Sequence, residues 1–312
     1  MLIKELKKKY DAHFKTPSNN RTIEPSHKIP MNFLFIFAKR FIAGQTLGEA
    51  LPVVEQLHRD GFATTLDILG ESVTNPAEAR SMADDYCNVI RMLREKNLDA
   101  NMSLKLTQLG LDISNDLCFD NVAKILIEAG KNGGFIRVDM EGSAYTQRTL
   151  DMVKRWHNIY PNVGTVLQVM LKRTPKDVEN LLEEKVGIRL CKGAYKEPHN
   201  VAFPDKRDVD RQYEILMDRL IGSGIYHGIA THDEKMINKA KEFAANYGIG
   251  KDKFEFQMLL GIRRDLQRQL LKDGWRVRIY VPYGSAWLPY TLRRIRERKE
   301  NLWFVVKNIF RR

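Results

Sequence analysis

Cysteine is scarce in this chain. Cys87, Cys118 and Cys191 are odd in number and far apart. That excludes a disulfide framework and fits a reducing compartment. No CxxC, HxxxH or HExxH occurs among the three cysteines and seven histidines, so no metal site is expected. Long apolar runs are also missing. MNFLFIFA at 31–38 is the longest strongly apolar stretch, far short of the roughly 20 residues of a membrane span. The N-terminal MLIKELKKKYDAHF lacks the apolar core of a signal peptide. The expected location is cytoplasmic, at most peripheral at the membrane face. No GxGxxG follows a strand-like run. GSGIYHG at 222–228 has the wrong spacing and precedes one. No GxxxxGK[ST] occurs either, which excludes P-loop chemistry.

What is present is a basic chain with an ample core. Its 312 residues are 43% hydrophobic, enough for one large α/β barrel or two ordinary domains. The net charge of +12 is densest near Lys4–Lys9 and Arg293–Arg312. Such a charge attracts polyanions, namely nucleic acid, acidic proteins or an anionic membrane. No helix-turn-helix, zinc-finger or RNA-binding signature accompanies it, so no nucleic-acid partner is expected. A basic barrel that binds a polyanion is the competing non-enzymatic reading.

Residues 1–30 carry Pro17, Asn19, Asn20, Pro25 and Pro30 and read as a short helix and a loose arm. Residues 31–312 read as one domain, without a break in composition. From Phe41 onward, short apolar runs alternate with amphipathic helical stretches. The runs are ATTLDIL at 63–69, MSLKL at 102–106, GFIRVDM at 134–140, VGTVLQV at 163–169, VGIRLCK at 186–192, YHGIATH at 226–232, FEFQMLL at 254–260 and WRVRIYV at 275–281. Spacings of roughly 20–45 residues suit βα units, and eight of them point to a single, distorted (β/α)8 barrel. The alternative, a doubly wound open sheet, predicts the missing nucleotide fingerprint.

A (β/α)8 barrel carries its active site at the C-terminal strand ends. Lys105, Asp139, Gln168, Arg189, Lys192, Thr231, His232 and Tyr280 all fall there. Each singly could be a capped strand end, since a buried polar group is costly unless paired. Their recurrence on successive strands favours a site. The segment YVPYGSAWLPYTLRRIRE at 280–297 adds a helix with Pro289 in its first turn. Tyr290, Arg293, Arg294 and Glu297 then share one face. Two guanidiniums below a ring form a clamp for a small carboxylate with an apolar body. The alternative is a solvated basic face.

This segment resembles the C-terminal end of proline dehydrogenases, flavin enzymes that oxidise L-proline. The resemblance runs from about Arg40 to the C-terminus. It rests on RFIAGQTLGEAL (40–51), LDILGESV (66–73), SLKLTQLGLD (103–112), RVDMEGS (137–143), VLQVML (166–171), GIRLCKGAYKEP (187–198), VAFPDKRDVD (201–210), ATHD (230–233) and FEFQMLLG (254–261). It implies that Arg293 and Arg294 hold the proline carboxylate while Tyr290 packs on the ring. Glu297 would hold an arginine in place, Tyr280 would be a second pocket tyrosine, and Leu259 an apolar wall. Lys105 and Asp139 would pair against the substrate. The cofactor implied is FAD. Arg189 would lie near its reactive nitrogen, Gln168 at the isoalloxazine edge and Met140 beside it. Lys192, Gly193 and Ala194 would line its ribityl and phosphate region, with Thr231 and His232 also in contact. The last helix would lie over the barrel mouth.

The resemblance further implies hydride transfer from proline to give Δ1-pyrroline-5-carboxylate, with electrons passed to a membrane quinone. The chain is too short for the second dehydrogenase domain of longer family members, so that oxidation is expected in a separate protein. Hydroxyproline is the alternative substrate, but Tyr290 leaves little room for its hydroxyl. Cys191 stands where valine is more usual and is expected to face away from the cofactor.

Overall fold

The protein's structure, a computed structural model, describes residue 35, residues 38–131 and residues 133–297, with positions 293 and 295–297 described by their backbone. The expected 1–30 arm lies outside the described residues. Eight strands pair in chain order, all parallel, and close on themselves. They are β1 (Ala63–Ile68), β2 (Asn101–Leu104), β3 (Phe135–Val138), β4 (Val163–Gln168), β5 (Gly187–Cys191), β6 (His227–Ala230), β7 (Phe254–Leu259) and β8 (Val277–Tyr283). Each overlaps one of the eight apolar runs, β2 starting one residue before its run and β8 ending two residues after it. A parallel sheet covered by helices buries both its faces, so its strands read as nearly continuous apolar runs. In β4 every residue is buried.

The described helices are α1 (Leu47–Arg59), α2 (Pro76–Glu95), α3 (Asn115–Gly130), α4 (Thr146–His157), α5 (Thr174–Glu183), α6 (Lys206–Ile221), α7 (Glu234–Asn246), α8 (Arg264–Lys272) and α9 (Trp287–Glu297). Their starts are set by side chains that satisfy orphan amides. Thr46 and Glu49 form a reciprocal capping box at α1. Asn75 caps α2, whose first residue is Pro76. Asp233 caps α7, and the same carboxylate reappears at the site below.

Closure is most extensive between β1 and β8, which run in register from Ala63↔Arg278 to Ile68↔Tyr283. The segment leading into α1 is stitched across this seam. Ala43 donates its amide to Pro282 O at 2.8 Å, and Gly284 donates to Gly44 O at 3.0 Å. Gly261 has φ +76°, and a Cβ there would stand 1.8 Å from Arg40 O, so this crossing requires glycine. Phe41, Ile42, Leu69, Ile262, Trp287 and Tyr290 form a small apolar cluster of their own. It holds α9 against the C-terminal ends of the strands, with Pro289 in the first turn of the helix. The last helix thus lies at the barrel mouth, as the sequence predicts.

Candidate active site

At the C-terminal strand ends lies a cavity of about 700 Å³. That is within the usual range for a ligand cleft. Strand ends give it Lys105, Asp139, Met140, Gln168, Arg189, Lys192, Gly193, Ala194, Thr231, His232, Leu259 and Tyr280, and α9 gives it Tyr290 and Arg294. The structure thus brings together every candidate residue except Arg293 and Glu297, whose side chains lie outside the described residues.

The polar floor is a network built on Asp139 and Arg189. Arg189 donates from Nη1 to Asp139 Oδ1 at 2.6 Å, from Nη2 to Ser103 Oγ at 2.9 Å, and from Nε to Gln257 Oε1. The other oxygen of Asp139 accepts from the Tyr280 hydroxyl at 2.8 Å. The Arg189 guanidinium also lies 5.3 Å from the centre of the Tyr280 ring. Burial is the main reason that the Tyr280 hydroxyl titrates well above its ordinary value, and the carboxylates of Asp139 and Asp67 add to it. It therefore stays a hydrogen-bond donor at neutral pH.

The partner of Lys105 differs from the one expected. Its Nζ lies 3.3 Å from both oxygens of Asp67, a wholly buried carboxylate at the end of β1. Asp139, expected to pair with Lys105, has Arg189 and Tyr280 as its partners. Desolvation raises the Asp67 pKa, and Lys105 opposes that rise. β2 lies between β1 and β3, so Lys105 has a carboxylate on either side. Arg189 and Tyr280 occupy Asp139, and Lys105 takes Asp67.

A second group of side chains occupies the β4–β6 edge of the cavity. Gln168 donates from Nε2 to Glu141 O at 2.9 Å and accepts from Ala194 N at 3.4 Å. Gly193 has φ +114°, and a Cβ there would lie 2.5 Å from Met170 Sδ. The methionine side chain can move aside, but a backbone at this φ favours glycine whatever the space. Lys192 sits between Asp210 at 2.5 Å and Asp233 at 2.9 Å. Burial would lower its pKa, but the two carboxylates hold it above the ordinary value. Thr231 Oγ1 accepts from Asp233 N at 3.1 Å, and His232 Nε2 accepts from Leu259 N at 2.8 Å. His232 Nε2 thus carries no proton. Among the described residues no His, Cys, Asp and Glu group could hold a metal ion.

Cys191 is a correction. It lines the cavity with Arg189 rather than facing away from it. Residues two apart on a strand share a face, so the alternation places both on the same side. Burial pushes its thiol up to about 12, which makes it a small, inert hydrophobe. Sequence reasoning also passed over Asp67, Ser103 and Gln257. Asp67 and Gln257 carry the same signal as the residues chosen, a polar group inside an apolar strand run. Both lie deeper in their runs than Lys105, Asp139 and Gln168, which stand next to the run's end.

The donor set fits a flavin nucleotide. Apolar Val166, Met140, Met258 and Leu259 of the cavity wall can flank a flat ring, while Gln168, Thr231 and His232 offer polar edges and Lys192 and Lys206 offer cations.

One family, described as proline dehydrogenase, matches residues 50–307. Proline dehydrogenase 2 of Bacillus subtilis (strain 168) is 41% identical over 274 residues, covering 88% of this chain and 90% of the relative. Proline dehydrogenase of Deinococcus radiodurans is 42% identical over 279 residues, with coverage of 88% and 90%. Among solved structures, proline utilization A from Bdellovibrio bacteriovorus, inactivated by N-propargylglycine, has a TM-score of 0.79 at 24% identity. The match covers 84% of this chain and 32% of that one, and it concerns the fold.

Proposed function

The chain belongs to the proline dehydrogenase family, and on that premise we propose that its cavity binds L-proline beside FAD and oxidises it to Δ1-pyrroline-5-carboxylate. Its activity is that of a proline dehydrogenase in proline catabolism. The observation that carries the proposal is the convergence on one cavity of Tyr290 and Arg294 from α9 with Asp139, Arg189 and Tyr280 from the strand ends.

In this reading Arg294 and Arg293 take the proline carboxylate, since a guanidinium fork matches two oxygens. Tyr290 and Leu259 cover the pyrrolidine ring and keep water from it. Asp139, fixed by Arg189 and Tyr280, orients the ring nitrogen with its carbon neighbour toward the reacting face. Gln168, Lys192, Gly193, Ala194, Thr231, His232 and Met140 hold the flavin nucleotide, with Arg189 as the cation beside it. FAD, when bound, supplies the acceptor of the hydride from proline C5. The ring nitrogen gives up its proton to water, leaving the C=N bond of the product.

The electrons then pass to a membrane quinone. Among the described residues no helix is long and apolar enough to cross a membrane. Contact with the lipid face rests on the net charge of +12, which favours anionic headgroups. The test is spectroscopic. Purified protein should be yellow, and L-proline should bleach the flavin band under anaerobic conditions. A colourless protein, or a flavin band unchanged by proline, overturns the proposal.

A further inference from the structure

Gly228 of β6 lies in register between Arg189 of β5 and Glu255 of β7. A Cβ on Gly228 would stand 2.4 Å from Gln257 Nε2 and 2.7 Å from its Cδ. The Gln257 side chain thus fills the space left by the missing side chain at 228. There it bridges two charges. Its Oε1 accepts from Arg189 Nε, and its Nε2 donates to Glu255 Oε1 at 2.6 Å. Glu255 is 3% exposed. It also accepts from Arg278 Nε at 2.7 Å and from the Tyr226 hydroxyl at 3.0 Å. Arg278 continues to Thr64 O at 2.6 Å and to Asp99 at 2.5 Å. A hydrogen-bonded path therefore runs down the barrel interior from Asp139, through Arg189, Gln257, Glu255 and Arg278, to Asp99.

The chemistry of this path has one direction. A guanidinium only donates and a carboxylate only accepts. A glutamine amide between them has one favourable orientation, with oxygen toward Arg189 and nitrogen toward Glu255. The flipped amide would set donor against donor and acceptor against acceptor. Geometry makes the Arg189 contact consequential. Asp139 and Ser103 hold the two terminal nitrogens. Two points define an axis about which the guanidinium plane can still tilt. The bond at Nε is the third point, and it fixes the plane.

We infer that Gln257, aimed by Glu255 and accommodated by Gly228, is a positioning residue that sets the plane of Arg189 in the cavity. This rests on the proposed reading, in which Arg189 is the cation beside the flavin. A tilted guanidinium stabilises the reduced flavin less and leaves the proline clamp on α9 untouched.

The test uses the flavin-loaded enzyme and two variants, Gln257→Leu and Gly228→Ala. The first removes the oxygen that holds Nε. The second keeps Arg189, Gln257 and Glu255 chemically intact and displaces the amide. Melting temperature, the two-electron midpoint potential of the bound flavin, and kcat and KM for proline are measured for each. Both variants are expected to lower kcat about tenfold with KM within about threefold of wild type. The potential is expected to fall by about 30 mV, a tenfold change in the two-electron equilibrium. Unchanged potential and kcat, with only a lower melting temperature, would overturn the inference and leave Gln257 a packing group. If Gln257→Leu does not fold, Gly228→Ala decides by the same criteria. Wild-type enzyme that carries no flavin or is inert to proline overturns instead the reading on which the inference rests.

Discussion

The Tyr280 hydroxyl donates to Asp139 across the barrel mouth at 2.8 Å, joining residues 141 positions apart in sequence. The bond ties the end of β8 to the end of β3 and leaves the other Asp139 oxygen to Arg189. Tyr280→Phe keeps the ring and removes the donor. A hydrogen bond to a charged acceptor contributes roughly 1.5–3 kcal/mol. Steady-state kinetics should show kcat/KM for proline reduced by about tenfold or more, with flavin content retained. Wild-type kinetics would remove Tyr280 from the site.

Asp139→Ala strips both Arg189 and Tyr280 of a partner. Turnover should fall far more than flavin occupancy. Stability should fall as well, by about 3 kcal/mol, because a buried guanidinium loses its counter-ion. Chemical denaturation and single-turnover flavin reduction measure the two effects separately. An Asp139→Ala enzyme with unchanged proline kinetics would refute its role.

Arg294→Met should raise KM for proline while the flavin stays bound. The lost charge-assisted contact contributes roughly 2–4 kcal/mol in a partly desolvated site. Arg293→Met should do the same if the two form a fork. Retention of wild-type KM by either variant would break the clamp into a single arginine or none.

Tyr290→Ser should shift preference toward trans-4-hydroxy-L-proline. Truncation relieves the steric exclusion of the hydroxyl and weakens packing against proline. Together these effects lower the discrimination by roughly 1–3 kcal/mol. The ratio of kcat/KM values for the two substrates is the measurement, and a constant ratio would take Tyr290 out of the pocket.

His227 gives a pH prediction remote from the cavity. Its Nδ1 accepts from Ile188 N at 3.0 Å, and its Nε2 meets Ser223 Oγ at 3.0 Å. Burial, with Arg137 nearby, lowers its pKa from 6.5 to about 3. The folded state therefore refuses a proton that the unfolded chain accepts. The histidine's contribution to stability is complete above about pH 6.5 and declines as pH falls toward 3, by about 1.4 kcal/mol per pH unit. Denaturation midpoints of wild type and His227→Gln, compared from pH 7 to pH 5, should converge on acidification. Parallel profiles would show that His227 is not the group responsible.

The barrel was legible because eight apolar runs, with no nucleotide fingerprint, leave few other ways to bury so many two-sided strands. The strand-end candidates were legible for a related reason, since a charge inside an apolar run needs a partner. Which partner was not. Lys105, just past the end of β2, has β1 on one side and β3 on the other, and the sequence of β2 does not record that it takes Asp67 of β1 rather than Asp139 beyond β3. Gln257 looked like an ordinary polar strand residue. Its importance comes from Gly228, one strand away, whose role is the space it leaves. Cys191 was legible too, since the period of two, applied from Arg189, places it toward the cavity.

The β1–β8 seam has a consequence for how the protein is made. Thr64 and Arg278, bonded across it, lie 214 positions apart. During synthesis β1 emerges early and its apolar edge waits, unpaired, until nearly the whole domain has left the ribosome. Unpaired edges template aggregation, and contacts this distant in sequence form slowly. Its yield on expression should therefore depend on keeping that edge in solution until β8 arrives.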